Sequence, residues 1–329
     1  MPTKKGEQRF YKKYAGSLDD VVIGEVRSFE PLKAFFSRAR EIVAEGFRDS
    51  VVGEERKPLC IVGVKACDLK GFKVQDHVFS AQGGSASGGK NHDDEDPFYI
   101  KNRQENLIIS ADCTCAIRTC FCLAVDVRPY PEENFDLNLS QVQGGFIISV
   151  GSPRGQKIID QNPSFFEDHS KAAKNEQQVL RKKVTNEVEE NIQRTSVPRQ
   201  DQYAGIIEKG FESEIWSDEA KTCVECAACN AICPTCHCFL LYDQKDEDKM
   251  ARLRIWDSCM IKDFARVAGG ANPRPKLWMR LRNRFEKKFD FFPKVAGVYA
   301  CTGCGRCITA CPAKIDIRRV LKRLVEYAR

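Results

Sequence analysis

The chain has 329 residues, 42% of them hydrophobic, and a formal net charge of +6. That length exceeds one average domain, so two domains with ordinary apolar cores are expected. No apolar run approaches the roughly 20 residues that cross a bilayer, and a modest basic excess is a solvated surface, so neither direct membrane insertion nor nucleic-acid binding is expected.

The N-terminal part reads as α/β. A helix is predicted from Pro31 to Phe47, because Leu32, Phe35, Phe36, Ala39, Ile42 and Val43 fall on one face. Pro31 suits its first turn and Gly46 its end. Short apolar runs at Leu59 to Val64, Leu107 to Ser110 and Phe146 to Val150 read as strands. Ala81 to Asp96, rich in Gly, Ser and acid, reads as a surface loop. Inside it, Gly84 to Lys90 approximates a phosphate-binding loop. Asn91 stands where a Ser or Thr hydroxyl would bind magnesium, and acids follow instead of an apolar helix. Nucleotide binding is therefore not expected there. No Gly-x-Gly-x-x-Gly fingerprint occurs, so flavin or NAD is expected on another subunit.

Pro163 to Arg199 reads as a charged helical connector, with Lys171 to Arg194 free of Gly and Pro. The expected division is an α/β domain over residues 1–165, a connector over 166–205, and a mostly helical ferredoxin-type domain over 206–329. In that last part, Leu277, Leu281, Phe285 and Phe289 form one apolar face of a helix over Pro275 to Phe289. Arg280, Arg284 and Lys288 form a parallel basic stripe, expected to be solvated, to meet an acidic partner or to tune a redox potential. A final helix runs from an Asp316 cap to Ala328, burying Ile317, Val320, Leu321, Leu324 and Val325.

The chemistry is carried by cysteine. Of 17 cysteines, eight form two runs, Cys223-x-x-Cys226-x-x-Cys229-x-x-x-Cys233-Pro234 and Cys301-x-x-Cys304-x-x-Cys307-x-x-x-Cys311-Pro312. Each run has the spacing of a [4Fe–4S] site, and in two-cluster ferredoxins the fourth cysteine of each run serves the other cluster. The expected sets are Cys223, Cys226, Cys229 and Cys311 for one cube, and Cys301, Cys304, Cys307 and Cys233 for the other. Zinc prefers two separated cysteine pairs. Disulfides need an oxidising compartment. Residues 1–13 are polar and basic, without the apolar stretch of an export signal, so a reducing cytoplasmic setting is expected.

Nine cysteines remain. Cys67 follows one predicted strand, and Cys113, Cys115, Cys120 and Cys122 follow another. Loops after parallel strands gather at one sheet edge, so Cys67, Cys113, Cys120 and Cys122 could hold a third cube, with Cys115 replacing one of them. The alternative is a set of buried, inert thiols. Cys236, Cys238 and Cys259 are one ligand short of a fourth site, which His237, Asp257, Cys60 or another N-terminal cysteine could complete. Arg306, inside the second run, is expected to raise one cluster's potential by stabilising its reduced form.

Further stretches make a resemblance specific: Gly63-Val-Lys-Ala-Cys67-Asp68, Asp96-Pro-Phe-Tyr99, Cys120-Phe-Cys122, Cys233-Pro-Thr-Cys236-His-Cys238-Phe239, Trp256-Asp-Ser-Cys259, Gly269-Gly-Ala-Asn-Pro-Arg274 and Cys301-Thr-Gly-Cys-Gly-Arg-Cys307. In this order they resemble the iron–sulfur β subunits of soluble [NiFe] hydrogenases of the sulfhydrogenase type, a family that includes the A subunit of anaerobic sulfite reductase. The resemblance implies a non-catalytic electron-relay subunit of an anaerobic oxidoreductase complex. Its partners would be a flavoprotein binding FAD and NAD(P), and a hydrogenase- or reductase-type catalytic subunit. Cys115 and the Gly/Ser/acid loop depart from the family pattern, which leaves the N-terminal ligand set open. Two rivals share some features. One is the iron–sulfur subunit of a membrane-linked, quinone-coupled dehydrogenase or reductase. The other is a nucleic-acid-binding protein, supported only by the Arg-rich stretch from Arg274 to Lys288.

Overall fold

The computed structural model describes residues 1–14, 16–45, 57–80, 95–246 and 249–329. The Gly84 to Lys90 stretch and nearly all of the acidic loop around it lie outside the described residues. Nine strands are described: β1 (Pro2–Lys5), β2 (Gln8–Tyr11), β3 (Arg40–Glu45), β4 (Cys60–Val64), β5 (Leu107–Ala111), β6 (Leu137–Val142), β7 (Gly145–Val150), β8 (Phe239–Asp246) and β9 (Lys249–Trp256). They form a β1-β2 ribbon, a sheet of order β3-β9-β8, and a sheet of order β4-β5-β6-β7.

The four-stranded sheet carries the α/β character. β4, β5 and β6 run parallel, and β7 closes the edge antiparallel. The β4-to-β5 crossover contains the helices Phe72–Phe79 and Pro97–Glu105. The second of these begins with Asp96, whose carboxylate accepts the Tyr99 N–H at 3.0 Å, which satisfies an otherwise orphaned amide. Because β4 and β5 are parallel, the loops after them leave the same edge. That topology brings Cys67 to Cys113 and Cys120.

The Lys171–Thr195 helix forms as its composition predicts and starts at a Ser170 cap. It lies against β6 and β7, tied to the sheet edge by Arg181, which donates to Asp112 at 2.7 Å. Its Val188 and Ile192 join a core with Trp216, Phe285, Val320, Leu321 and Leu324. The last helix, Ile317–Ala328, buries the predicted face behind the Asp316 cap.

Two expectations are corrected. In place of a helix over 31–47, the chain makes a short turn at Leu32–Phe35 and then strand β3. Leu32 and Phe36 are fully buried against Ile61, Leu69 and Phe72, while Arg40–Glu45 pairs antiparallel with β9. The β-branched pair Ile42-Val43 suits a strand once a partner edge is present, and that edge, residues 251–255, lies far along the sequence, beyond the reach of local periodicity. The C-terminal region, expected to be mostly helical, contains the β8–β9 hairpin. Its β9 strand alternates Leu253 and Ile255 with Arg252 and Arg254, a period-2 pattern inside a stretch otherwise rich in helix formers. The β3-β9-β8 sheet therefore joins the N-terminal region to the C-terminal one.

Candidate metal centres

The two cysteine runs fold into equivalent loops. Glu225 and Ala227 in the first have φ of 53° and 59°, and Gly303 and Gly305, at the matching positions of the second, have 62° and 69°. These left-handed residues wind each loop so that its thiols turn to one side. In the second loop only glycine fits. A Cβ on Gly303 would stand 2.4 Å from Cys122 Cα, and one on Gly305 would stand 2.2 Å from the Thr119 carbonyl oxygen. The second loop is thus pressed onto the N-terminal cysteine loop, and Phe121 N–H donates to the Gly303 carbonyl at 2.9 Å.

Cys223, Cys226, Cys229 and Cys311 line one cavity of about 50 Å³, walled by Leu281, Phe285 and Pro312. Cys307 of the second run also faces it. Cys233, carried by the first run, lies instead within electrostatic reach of Cys301 and Cys307. Cys311 of the second run thus sits with the first-run cysteines, and Cys233 of the first run sits near Cys301 and Cys307. Lys288 Nζ donates to Cys233 Sγ at 3.3 Å, and to Thr235 Oγ1 and the Ala300 carbonyl at 2.9 Å. A hydrogen bond from Cys236 and the charge of Lys288 hold the Cys233 thiol well below its ordinary pKa, whereas burial pushes Cys301 up to about 11 and Cys307 up to about 12.

Cys67, Cys113, Cys115, Cys120 and Cys122 line a further cavity of about 30 Å³, together with Cys304 of the second run. Five thiols for four positions keep both Cys115 and its neighbours eligible. Lys65, buried beside them, donates to the carbonyls of Ile23 at 2.7 Å and Asp112 at 3.0 Å. Burial pushes Cys113 up to about 12 and lowers Lys65 below its ordinary range. Arg27 Nε donates to the Cys304 carbonyl at 2.5 Å, binding this region to the second run.

Cys236, Cys238 and Cys259 line a third cavity of about 380 Å³ with His237, Arg274, Arg284 and Lys288. Cys60 is exposed at the start of β4, near the Met1 amine, and takes no part. Among the described residues, no three His, Cys, Asp or Glu side chains converge on a point that would hold a single ion. The thiols are instead spread around cavities, as ligands to separate corners of a polynuclear cluster must be. Buried donors without a protein partner accompany them: Thr302 Oγ1 and Arg306 Nη1 in the second run. All-sulfur donor sets, buried cations and orphaned donors fit an anionic sulfur-rich group.

The family described as a 4Fe-4S dicluster domain matches residues 222–315. Over 312 residues the chain is 28% identical to sulfhydrogenase 2 subunit beta of Pyrococcus furiosus, covering 94% of this chain and 87% of that protein. The chain is a relative of hydrogenase β subunits. It is an iron–sulfur electron-transfer protein with a 4Fe-4S dicluster domain. No solved structure matches it. Among the described residues no helix is long and apolar enough to cross a membrane.

In this protein the basic stripe is not solvated. Arg280, Arg284 and Lys288 are 2%, 5% and 4% exposed. Arg280 pairs with Glu225 at 2.8 Å, while Arg284 Nε donates to Asn230 Oδ1 at 2.9 Å. Arg306, inside the second run, is tied to the N-terminal region. Its guanidinium pairs with Asp68 at 2.7 Å, both fully buried, and donates to the Ser28 and Phe29 carbonyls. Sequence reading missed Lys33 and Lys65 among the thiols. Lys33 lies in the stretch predicted as a helix over 31–47 and is not among that helix's apolar positions. The signal for Lys65 is a lone lysine between the apolar strand Cys60–Val64 and Cys67.

Proposed function

We propose that the chain is the electron-relay subunit of a cytoplasmic, anaerobic oxidoreductase complex. It would pass electrons between a flavoprotein subunit that binds FAD and NAD(P) and a hydrogenase- or reductase-type catalytic subunit. Flavin, nicotinamide and the substrate chemistry belong to those partners. The printed name of the Pyrococcus relative, a subunit of a sulfhydrogenase, supports assembly with other chains.

One observation carries the relay reading: the cysteines of the second run, together with Cys233 of the first, border each of the other thiol cavities. Cys307 lines the first-run cavity, Cys304 lines the N-terminal cavity, and Cys233 hydrogen-bonds with Cys236. Iron–sulfur cubes supply reversible one-electron exchange. Cys223, Cys226, Cys229 and Cys311 would hold one cube, and Cys233, Cys301, Cys304 and Cys307 a second. Cys67, Cys113, Cys120 and Cys122 would hold a third, with Cys115 as the alternative to one of them. Lys288 and Arg284 offset the thiolate charge, and Phe285, Leu281 and the Pro312 turn exclude water. Residues 1–165, 166–205 and 206–329 would then serve as a sheet-bearing platform, a brace and the dicluster region.

Two measurements test this. Iron and acid-labile sulfide of the anaerobically purified chain should reach at least about twelve of each per chain, whereas about eight would confine clusters to the two motif runs. In the co-purified complex, NAD(P)H should reduce the clusters of this chain, as seen by electron paramagnetic resonance. Clusters that stay oxidised while the flavoprotein is reduced would defeat the relay assignment.

A further inference from the structure

The cavity behind the β8–β9 hairpin is not used by either cysteine run. Its thiols meet because of hairpin register. Phe239 pairs with Trp256, and Asp257 N–H donates to the Cys238 carbonyl at 2.9 Å. The residues just before β8 and just after β9 are therefore neighbours, and Cys238 and Cys259 share a hydrogen bond. Asn230 Nδ2 lies 3.1 Å from Cys259 Sγ and 2.9 Å from Ser258 Oγ, which fixes that thiol's direction.

His237 lies in sequence between Cys236 and Cys238, and its ring packs against those of Phe79 and Phe292. Its Nδ1 is 3.1 Å from the Thr235 carbonyl oxygen. A carbonyl only accepts, so Nδ1 carries the proton and Nε2 keeps its lone pair. A backbone carbonyl on the far nitrogen is how a protein fixes the tautomer of a metal-ligating histidine. The other sequence candidates fall away. Asp257 accepts from the Ser258 N–H at 2.7 Å and does not line the cavity, and Cys60 is on the β4 edge.

Charge points the same way. Lys33, Arg284 and Lys288 are 7%, 5% and 4% exposed. Among the described residues none of the three bonds a carboxylate. Lys33 donates to the Asn230 and Cys236 carbonyls, Arg284 to Asn230, and Lys288 to Thr235, Ala300 and Cys233. Arg274 lines the cavity with a buried Nε that has no partner. Buried cations need nearby anions, and cysteines are the groups that favour the charged forms of Lys33, Arg284 and Lys288.

We propose that this cavity binds a further iron–sulfur cluster, held by Cys236, Cys238 and Cys259 through sulfur and by His237 through Nε2. Lys33, Arg284, Lys288 and Arg274 balance its charge. The four ligands do not meet at one point because each serves a separate iron corner. The second-run cube then becomes a three-way junction, with the first-run site, the N-terminal site and this site as its neighbours. The proposal rests on the chain being an iron–sulfur protein and adds a site with mixed ligation.

The test uses the full-length chain, reconstituted with iron and sulfide without oxygen and labelled with ¹⁵N-histidine. Pulsed electron paramagnetic resonance of the reduced protein should show a histidine nitrogen coupled to a cluster. That coupling should vanish in His237→Cys while iron content is kept. The double variant Cys238→Ala/Cys259→Ala should lose about four irons and four sulfides per chain. Absence of the coupling in wild type, its persistence in His237→Cys, or unchanged iron in the double variant would each overturn the site. Cys226→Ala is the control for the wider reading: iron loss there, with none in the double variant, rejects this site and leaves the relay intact.

Discussion

Breaking the Arg306–Asp68 pair should unfasten the second cysteine run from the sheet-bearing region. The two groups are 2.7 Å apart and 0% exposed. At an effective dielectric of about 20, their attraction is about 6 kcal/mol, much of it cancelled by the desolvation of both charges. What remains decisive is the orphaned charge. Asp68→Asn keeps an acceptor for the Leu32 N–H, which the carboxylate bonds at 3.1 Å, but leaves the guanidinium buried and uncompensated, at a cost of about 3–5 kcal/mol. With about 2.1 cal/mol/K of unfolding entropy per residue, a chain of 329 residues has about 0.7 kcal/mol/K, so the Tm should fall by about 4–7 °C. Arg306→Met should cost at least as much, because the Ser28 and Phe29 carbonyls also lose a donor. The double variant Asp68→Leu/Arg306→Met should lose less than the sum of the singles, with a coupling of about 2 kcal/mol or more. Anaerobic calorimetry on the four proteins measures this. Costs that add to within about 0.5 kcal/mol, or an unchanged Tm for Asp68→Asn, would refute the claim that this pair fastens the two regions.

Other expected outcomes address the centres. Cys233→Ala should remove the cube gathered around Cys301, Cys304 and Cys307, and Cys311→Ala the one around Cys223, Cys226 and Cys229, each losing about four irons per chain. Retention of both cubes in either variant would reject the crossed grouping. Lys288→Met removes a charged donor from Cys233 Sγ. A charged hydrogen bond worth about 1.5–3 kcal/mol corresponds to about 60–130 mV for one electron, so that cube's potential should fall by this amount; a redox titration that moves by less than about 20 mV would contradict it. Gly305→Ala should lower both Tm and iron content, since its Cβ would stand 2.2 Å from the Thr119 carbonyl oxygen. Ala227→Gly, at the equivalent left-handed position, should be neutral or stabilising by up to about 1 kcal/mol. Equal behaviour of the two variants would show that the second loop does not press on its neighbour.

Much of the site can be read without coordinates, because cluster ligation imposes short fixed spacings that survive in sequence. The eight motif cysteines, the proline that follows each run, and the amphipathic helix capped by Asp316 are all of this local kind. So are strands β4, β5 and β7, whose apolar runs stand between turn residues. From the order of strand and loop alone, Cys67 and the 113–122 cysteines were expected to meet, and parallel pairing of β4 and β5 brings them together.

The tertiary structure decided what depends on distant partners. Residues 40–45 become a strand because β9 offers an edge, overriding a helical pattern that fits the same residues. The hairpin's register, and no local motif, brings Cys238 to Cys259 and leaves Cys60 outside. Sequence fixes the charge of Lys33, Lys65, Arg284, Lys288 and Arg306 but not their burial. A cation's energy depends on how much water the fold removes and which anions it leaves in reach, and both are set by segments far apart in the chain.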